Sequence, residues 1–182
     1  MIKGYSPHPT IFLDRDGTIN RDVDYLGSLD ELEVFDFTRE ALSLCKQNGY
    51  LTIVLSNQSG IGRGLFTTEK VHEIHNAINE QVGGLIDAFY FCPHLPDDNC
   101  ECRKPALGLI RSALDEYSID VSNSWMIGDK KSDIEMGFNA GIATALVMTG
   151  YGKAALPTLE RMPDLVASDL LMAARDICER DS

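Results

Sequence analysis

Short apolar runs that end in polar residues recur along the chain. Thr10-Ile11-Phe12-Leu13 runs into Asp14, Leu51-Thr52-Ile53-Val54-Leu55 into Ser56-Asn57, and Ala88-Phe89-Tyr90-Phe91 into Cys92. Ser124-Trp125-Met126-Ile127 runs into Gly128-Asp129, and Ala143-Thr144-Ala145-Leu146-Val147-Met148 into Thr149-Gly150. Such runs fit strands buried on both faces. Helical spacing fills the intervals. Thr38 is placed to cap a helix carrying Ala41, Leu42 and Cys45, with Gly49 as its stop. Thr67 or Thr68 opens one carrying Val71, Ile74 and Ile78, and Leu107, Ile110, Leu114 and Tyr117 mark a third. Ser132 or Asp133 starts another that ends near Gly141, and a last helix covers Asp169 to Arg180. The alternation predicts an α/β fold, a parallel sheet with helices on both faces, in one domain over 1–182. In open sheets of this kind ligands bind beyond the carboxyl ends of the strands. The polar clusters that follow each run should therefore converge on one edge.

Three of those clusters carry chemistry suited to phosphate. In Asp14-Arg15-Asp16-Gly17-Thr18, one carboxylate can act as nucleophile while the other handles the leaving-group proton. Magnesium can hold the first carboxylate and a phosphate oxygen together. A polar turn after a strand has a similar composition, and Gly-Thr after Ile-Phe-Leu weighs toward chemistry. In Ser56-Asn57-Gln58-Ser59-Gly60-Ile61-Gly62-Arg63-Gly64, a hydroxyl and a glycine-rich loop can bind a phosphoryl group, and Arg63 a second anion. A plain flexible connection also reads this way. In Gly128-Asp129-Lys130-Lys131-Ser132-Asp133, Asp129 would complete a magnesium site and Lys130 would offset phosphate charge. Acids are also common at helix N-termini, a description that suits Asp133 better than Asp129.

The stretch 92–105 is the least regular. It holds Cys92, His94, Cys100 and Cys102, three of the five cysteines with one imidazole. A complete Cys3His set matches a closed, structural zinc site, so a zinc loop is expected over 92–102; the alternative is a chance cluster of thiols. The loop would present Arg103 and Lys104 toward the strand ends, where a lysine can neutralise a transferring phosphoryl group. Cys45, Cys178 and Trp125 read as core, and His8, His72 and His75 as surface or packing residues.

Charge narrows the partners. The net charge of −12 argues against nucleic acid and against an anionic membrane surface. It also means that an anionic substrate must meet local cations and a metal. Met1 to Pro7 lack the apolar stretch of a secretory leader, and no run is long enough to span a membrane. A monomer in the cytoplasm, acting on a small phosphorylated metabolite, is the expectation.

The ordered set Asp14-x-Asp16-Gly17-Thr18, Ser56-Asn57, Lys104 and Gly128-Asp129 resembles the four motifs of the haloacid dehalogenase (HAD) superfamily of phosphatases, over roughly Ile11 to Gly150. The resemblance implies a Rossmann-like fold and an aspartyl-phosphate intermediate. Asp14 would attack phosphorus, and Asp16 would act as general acid and then base. Asp14, the Asp16 carbonyl and Asp129 would hold magnesium, while Ser56 and Lys104 would bind the phosphoryl group. The zinc loop is similar to the branch holding the heptose 1,7-bisphosphate and histidinol-phosphate phosphatases, which lack a large cap domain. The segment from Ser56 to Thr67, with Arg63, is similar to the heptose enzymes. They act at C7 and feed nucleotide-activated heptose synthesis for lipopolysaccharide or other surface glycans. The short interval between His94 and Cys100 is similar to the histidinol phosphatases. Arg63, Arg103 and Lys104 supply more positive charge than histidinol phosphate, itself cationic, would need. A non-catalytic, zinc-stabilised binding protein is disfavoured because Asp14, Asp16, Lys104 and Asp129 are all present, and a nucleic-acid 3′-phosphatase because the chain is acidic.

Overall fold

The computed structural model describes residues 6–180. The reading of the first residues as no export leader concerns Met1 to Tyr5 in part, and those five lie outside the described residues. Six strands form one parallel sheet: β1 (His8–Leu13), β2 (Leu51–Asn57), β3 (Ala88–Cys92), β4 (Ile119–Gly128), β5 (Ala143–Val147) and β6 (Leu165–Ala167). Their order is β3-β2-β1-β4-β5-β6, that of a Rossmann-like, doubly wound sheet.

The strands read as continuous apolar runs because both faces are covered. Ile11 and Leu13 of β1, Val54 of β2 and Trp125 and Ile127 of β4 point to one core. There they meet helices α1 (Thr38–Gln47), α2 (Thr68–Gln81) and α6 (Leu170–Arg180) through Leu42, Ile74, Ile78 and Ile177. Their alternates Phe12, Ile53, Leu55 and Met126 point to the other face. Helices α3 (Gly108–Glu116) and α4 (Lys131–Ala140) cover it through Leu109, Ile110, Ala113 and Met136.

The elements differ from the sequence-based expectation in several places. Thr38 is the first residue of α1 and not its cap: its hydroxyl donates to the carbonyl of Ile19 at 2.8 Å, tying the helix to the loop after β1. Helix α4 starts at Lys131, one residue before Ser132. Strand β4 starts at Ile119, five residues early, and contains a bulge. There the Asp120 carboxylate accepts from Ser122 and Asn123, and the Ser124 hydroxyl accepts from Thr10 N–H at 2.9 Å. Strand β6 was not expected, having only three residues. The short helix α5 (Gly152–Ala155) was also not expected.

β1 and β4 lie side by side where the strand order reverses. A crevice opens beyond strand ends at such a point. Asp14 leaves β1 there and Asp129 leaves β4.

Candidate active site

Asp14 is anchored by its own main chain, whose N–H donates to the Ile127 carbonyl at 2.9 Å. Its Oδ1 accepts from the Arg15 N–H at 2.7 Å and faces Lys104 Nζ at 2.8 Å. Lys104 is buried. It donates to the Leu55 carbonyl at 2.7 Å and pairs with Asp133 Oδ1, also at 2.7 Å. Burial works against the charge on Lys104, but Asp133 and Asp14 outweigh it and raise the pKa. Asn57 fixes the main chain of Lys104 at both groups, donating to its carbonyl at 3.3 Å and accepting from its N–H at 3.0 Å. The Ser56 hydroxyl beside Leu55 is buried and has no hydrogen-bond partner.

Asp14, Asp129 and Asp133 bring carboxylate oxygens within 4.8 Å of one another. Asp129 is fully buried. Its Oδ2 accepts from Tyr151 N–H at 2.8 Å, while its Oδ1 has no hydrogen-bond partner. Burial and then Asp14 push Asp129 up to about 8. A buried oxygen without a donor, among like charges, is short of a cation. The hard oxygen set fits magnesium. Gly17, at φ +87°, and Gly150, at φ +51°, make room for the Asp129 carboxylate, which a Cβ at either position would strike. Lys130 Nζ adds charge at 3.7 Å from Asp14, 3.9 Å from Asp129 and 2.9 Å from Asp22, and reaches the Asp16 carbonyl at 3.3 Å.

The carboxylate of Asp16 stands apart from that trio. Arg15 grips both of its oxygens, Nε at 3.1 Å and Nη2 at 2.8 Å, with Asn20 at 3.0 Å and Gln58 at 3.1 Å. Burial alone would raise Asp16; the Arg15 charge and these bonds outweigh it and hold the carboxyl at about 2. Asp16, Asp22, Asp24, Tyr25, Gln58 and Lys130 line a cleft of about 240 Å³. A larger cleft between α1 and α6, about 940 Å³, holds none of these groups.

The 92–102 loop gathers its four candidate ligands. Cys92 Sγ lies 3.5 Å from Cys100 Sγ and 3.0 Å from Cys102 Sγ, and Cys100 and Cys102 are 3.6 Å apart. His94 Nδ1 is 3.5 Å from Cys92 and 3.2 Å from Cys102. Zinc–sulfur bonds of about 2.3 Å would give tetrahedron edges of roughly 3.8 Å, so the cluster has the size of a tetrahedral metal site.

The HAD-hydrolase-like family model matches residues 101–173. A probable D-glycero-D-manno-heptose-1,7-bisphosphate 7-phosphatase of Thermoplasma acidophilum is 42% identical over 142 residues, 76% of this chain and 89% of that one. The chain belongs to the HAD-like phosphatases. A D-glycero-D-manno-heptose-1,7-bisphosphate 7-phosphatase of Thermosynechococcus vestitus is 34% identical over 94% of this chain and 96% of that one. The crystal structure of D,D-heptose 1,7-bisphosphate phosphatase from B. bronchiseptica, complexed with magnesium and phosphate, superposes with a TM-score of 0.88. It shares 33% identity and covers 94% of this chain and 99% of that one.

Within this HAD-like phosphatase the residues singled out in the sequence fall into three groups. Asp14, Asp129, Lys104 and Lys130 meet in one charged cluster. Asp16 borders it, Asn57 holds the main chain of Lys104, and Ser56 follows Leu55, whose carbonyl Lys104 contacts. Arg63 and Arg103 stand further out: exposed Arg63 lies 5.4 Å over the Tyr25 ring, and Arg103 donates to the His94 carbonyl at 3.3 Å. Two members were underweighted in the sequence. Asp133 reads there as a helix-end acid. It does accept from Lys130 N–H at 3.0 Å, and with its other oxygen it pairs with Lys104. Arg15 carries no signal beyond its place between two aspartates.

Proposed function

We propose that this HAD-like phosphatase removes the C7 phosphate of D-glycero-D-manno-heptose 1,7-bisphosphate through a phosphoaspartate on Asp14. The relatives named above support the substrate, and the observation that carries the assignment of the nucleophile is the asymmetric hold on Asp14. Its Oδ1 is occupied by Lys104 and the Arg15 N–H, which leaves Oδ2 to attack. In the first half of the reaction Oδ2 bonds to phosphorus, the bond from phosphorus to the C7 oxygen breaks, and Asp16 protonates that oxygen. In the second, Asp16 takes a proton from water, which attacks phosphorus and releases Asp14 and phosphate. Arg15 favours the ionised Asp16 needed for the second half; the negative charge of an arriving phosphoryl group favours the protonated form needed for the first. Ser56 donates to the phosphoryl group, whose charge Lys104 and Lys130 offset. Asp14, the Asp16 carbonyl and Asp129 would hold magnesium, with Asp133 beside them. When bound, the ion neutralises phosphoryl oxygens next to the carboxylates.

Arg63 and Arg103 suit the second phosphate of a bisphosphate. Zinc at Cys92, His94, Cys100 and Cys102 would order the loop that presents Lys104. The domain is proposed to act alone, as a cytoplasmic monomer without nucleic-acid or membrane partners. The acidic charge and five free cysteines support that reading, and among the described residues no helix is long and apolar enough to cross a membrane.

A second reading, histidinol phosphate, is favoured by Asp22 and Asp24 at the mouth, which would suit a cationic substrate. Phosphate release with magnesium, comparing both heptose 1,7-bisphosphate anomers with histidinol phosphate, separates the two. A higher kcat/KM for a heptose bisphosphate is expected; preference for histidinol phosphate would overturn the substrate assignment.

A further inference from the structure

Behind Asp16, Arg15 continues into a buried polar chain whose far end, His75, the reaction above does not use. The Arg15 side chain is fully buried. Its Nη2 donates to Gln58 Oε1 at 3.1 Å as well as to Asp16, and its Nη1 faces His75 Nε2 at 3.5 Å. His75 comes from α2 and is buried. Its ring stacks on Phe89 of β3 at 4.4 Å between centroids and meets the edge of Phe91 at 5.7 Å.

Any aromatic ring could fill that slot. A histidine there incurs the cost of burying two ring nitrogens, which a phenylalanine would avoid. Nδ1 makes no hydrogen bond. What the imidazole adds is therefore Nε2, and Nε2 meets Arg15. Burial, and then the Arg15 charge, hold the ring neutral by lowering its pKa to about 3. With its proton on Nδ1, the ring accepts from the guanidinium. Arg15 is a rigid fork whose donors point in fixed directions. Fixing Nη1 from behind therefore fixes Nε and Nη2, the two groups that aim Asp16.

We infer that His75 is a positioning residue for Asp16, acting through Arg15 to set the direction from which the carboxyl meets the leaving oxygen. This rests on the reading of Asp16 as the proton-transferring group. His75 never touches substrate. Its effect falls on the proton transfers that Asp16 makes in both halves of the reaction, and it belongs to a helix the sequence marks only as packing.

The test compares kcat/KM, which covers the steps up to departure of the leaving group and not the later hydrolysis of the phosphoaspartate, on an alkyl phosphate, whose leaving oxygen needs a proton, and on 4-nitrophenyl phosphate, whose leaving group departs without one. His75→Gln keeps an acceptor near the position of Nε2. His75→Asn is equally polar but its amide ends near Nδ1, short of Arg15. His75→Phe keeps the ring and loses the acceptor. Asn and Phe are expected to lower kcat/KM on the alkyl phosphate roughly tenfold or more, with kcat/KM on the aryl ester within about threefold, since general acid catalysis contributes ~10²–10⁴. Gln should stay near wild type on both. If Gln and Asn behave alike, or if Phe matches wild type while Gln fails on both esters, His75 is only packing and the inference falls. The contrast between Gln and Asn decides even if Phe does not fold. Asp16→Asn is the control for the underlying reading: without its own selective loss on the alkyl ester, Asp16 is not the proton-transferring group, whatever the His75 variants do.

Discussion

Lys104 shows how much of the site rests on single charges. It is 4% exposed and neutralises two buried carboxylates, Asp14 and Asp133. Removing one partner of such a cluster leaves uncompensated buried charge, typically at a cost of about 3–5 kcal/mol. Lys104→Met should destabilise the fold by that order in urea unfolding as well as abolish turnover. His75 gives a second residue-level expectation. A histidine in the unfolded chain titrates near 6.5, and the folded ring is held to about 3. Between those values the unfolded chain binds the extra proton. The contribution of His75 is whole above pH 6.5 and is lost as the pH falls toward 3. The urea midpoint of His75→Gln, which has no imidazole to titrate, should therefore fall less steeply than that of the wild type from pH 6.5 to 4.

At the scale of elements, the proposed function depends on the loop between β3 and α3 as much as on the strands. Cys102 and Lys104 are two residues apart, so whatever orders the thiols also orders the lysine. One tightly held zinc per chain is expected in metal analysis of the purified protein. Cys100→Ser should lower kcat with magnesium in excess, although Cys100 touches none of the charged groups around Asp14. The strand cores and their polar ends were legible in the sequence because both faces of the sheet are covered, so that Phe12, Ile53 and Met126 are as apolar as their neighbours. The gathering of Cys92, His94, Cys100 and Cys102 was legible because they are close in sequence. Asp133 was obscured because an acid in the first turn of a helix needs no partner to explain it. Arg15 and His75 are 60 residues apart and meet only after α2 docks on the sheet, so no local pattern announces them. The early part of β4 was hidden by the Asp120 turn, which looks like a loop end.

At the scale of the whole molecule, a chain of net charge −12 must draw an anion into a crevice that holds a few cations. Lys104 and Lys130 act at close range, while the surrounding field opposes approach. Salt weakens the long-range part first, because the Debye length shrinks to ~8 Å near physiological ionic strength. Raising NaCl from about 10 mM to about 150 mM should therefore raise kcat/KM for a phosphate substrate at fixed magnesium, measured by initial rates. A fall would mean that the local cations, not the net charge, govern encounter.

All six strands point the same way, so the loops that carry Asp14, Ser56, Lys104 and Asp129 gather at one edge, while the Asp120 turn and the start of β1 lie at the other. β1 enters that other edge at His8 and reaches Asp14 six residues later, roughly 20 Å away at strand rise. A tag, a surface linkage or a second enzyme joined ahead of His8 would hang from the back of the molecule, clear of the route that substrate takes. The polarity of the sheet makes this fold a ready building block for tethered or bifunctional assemblies, with the mouth left facing outward.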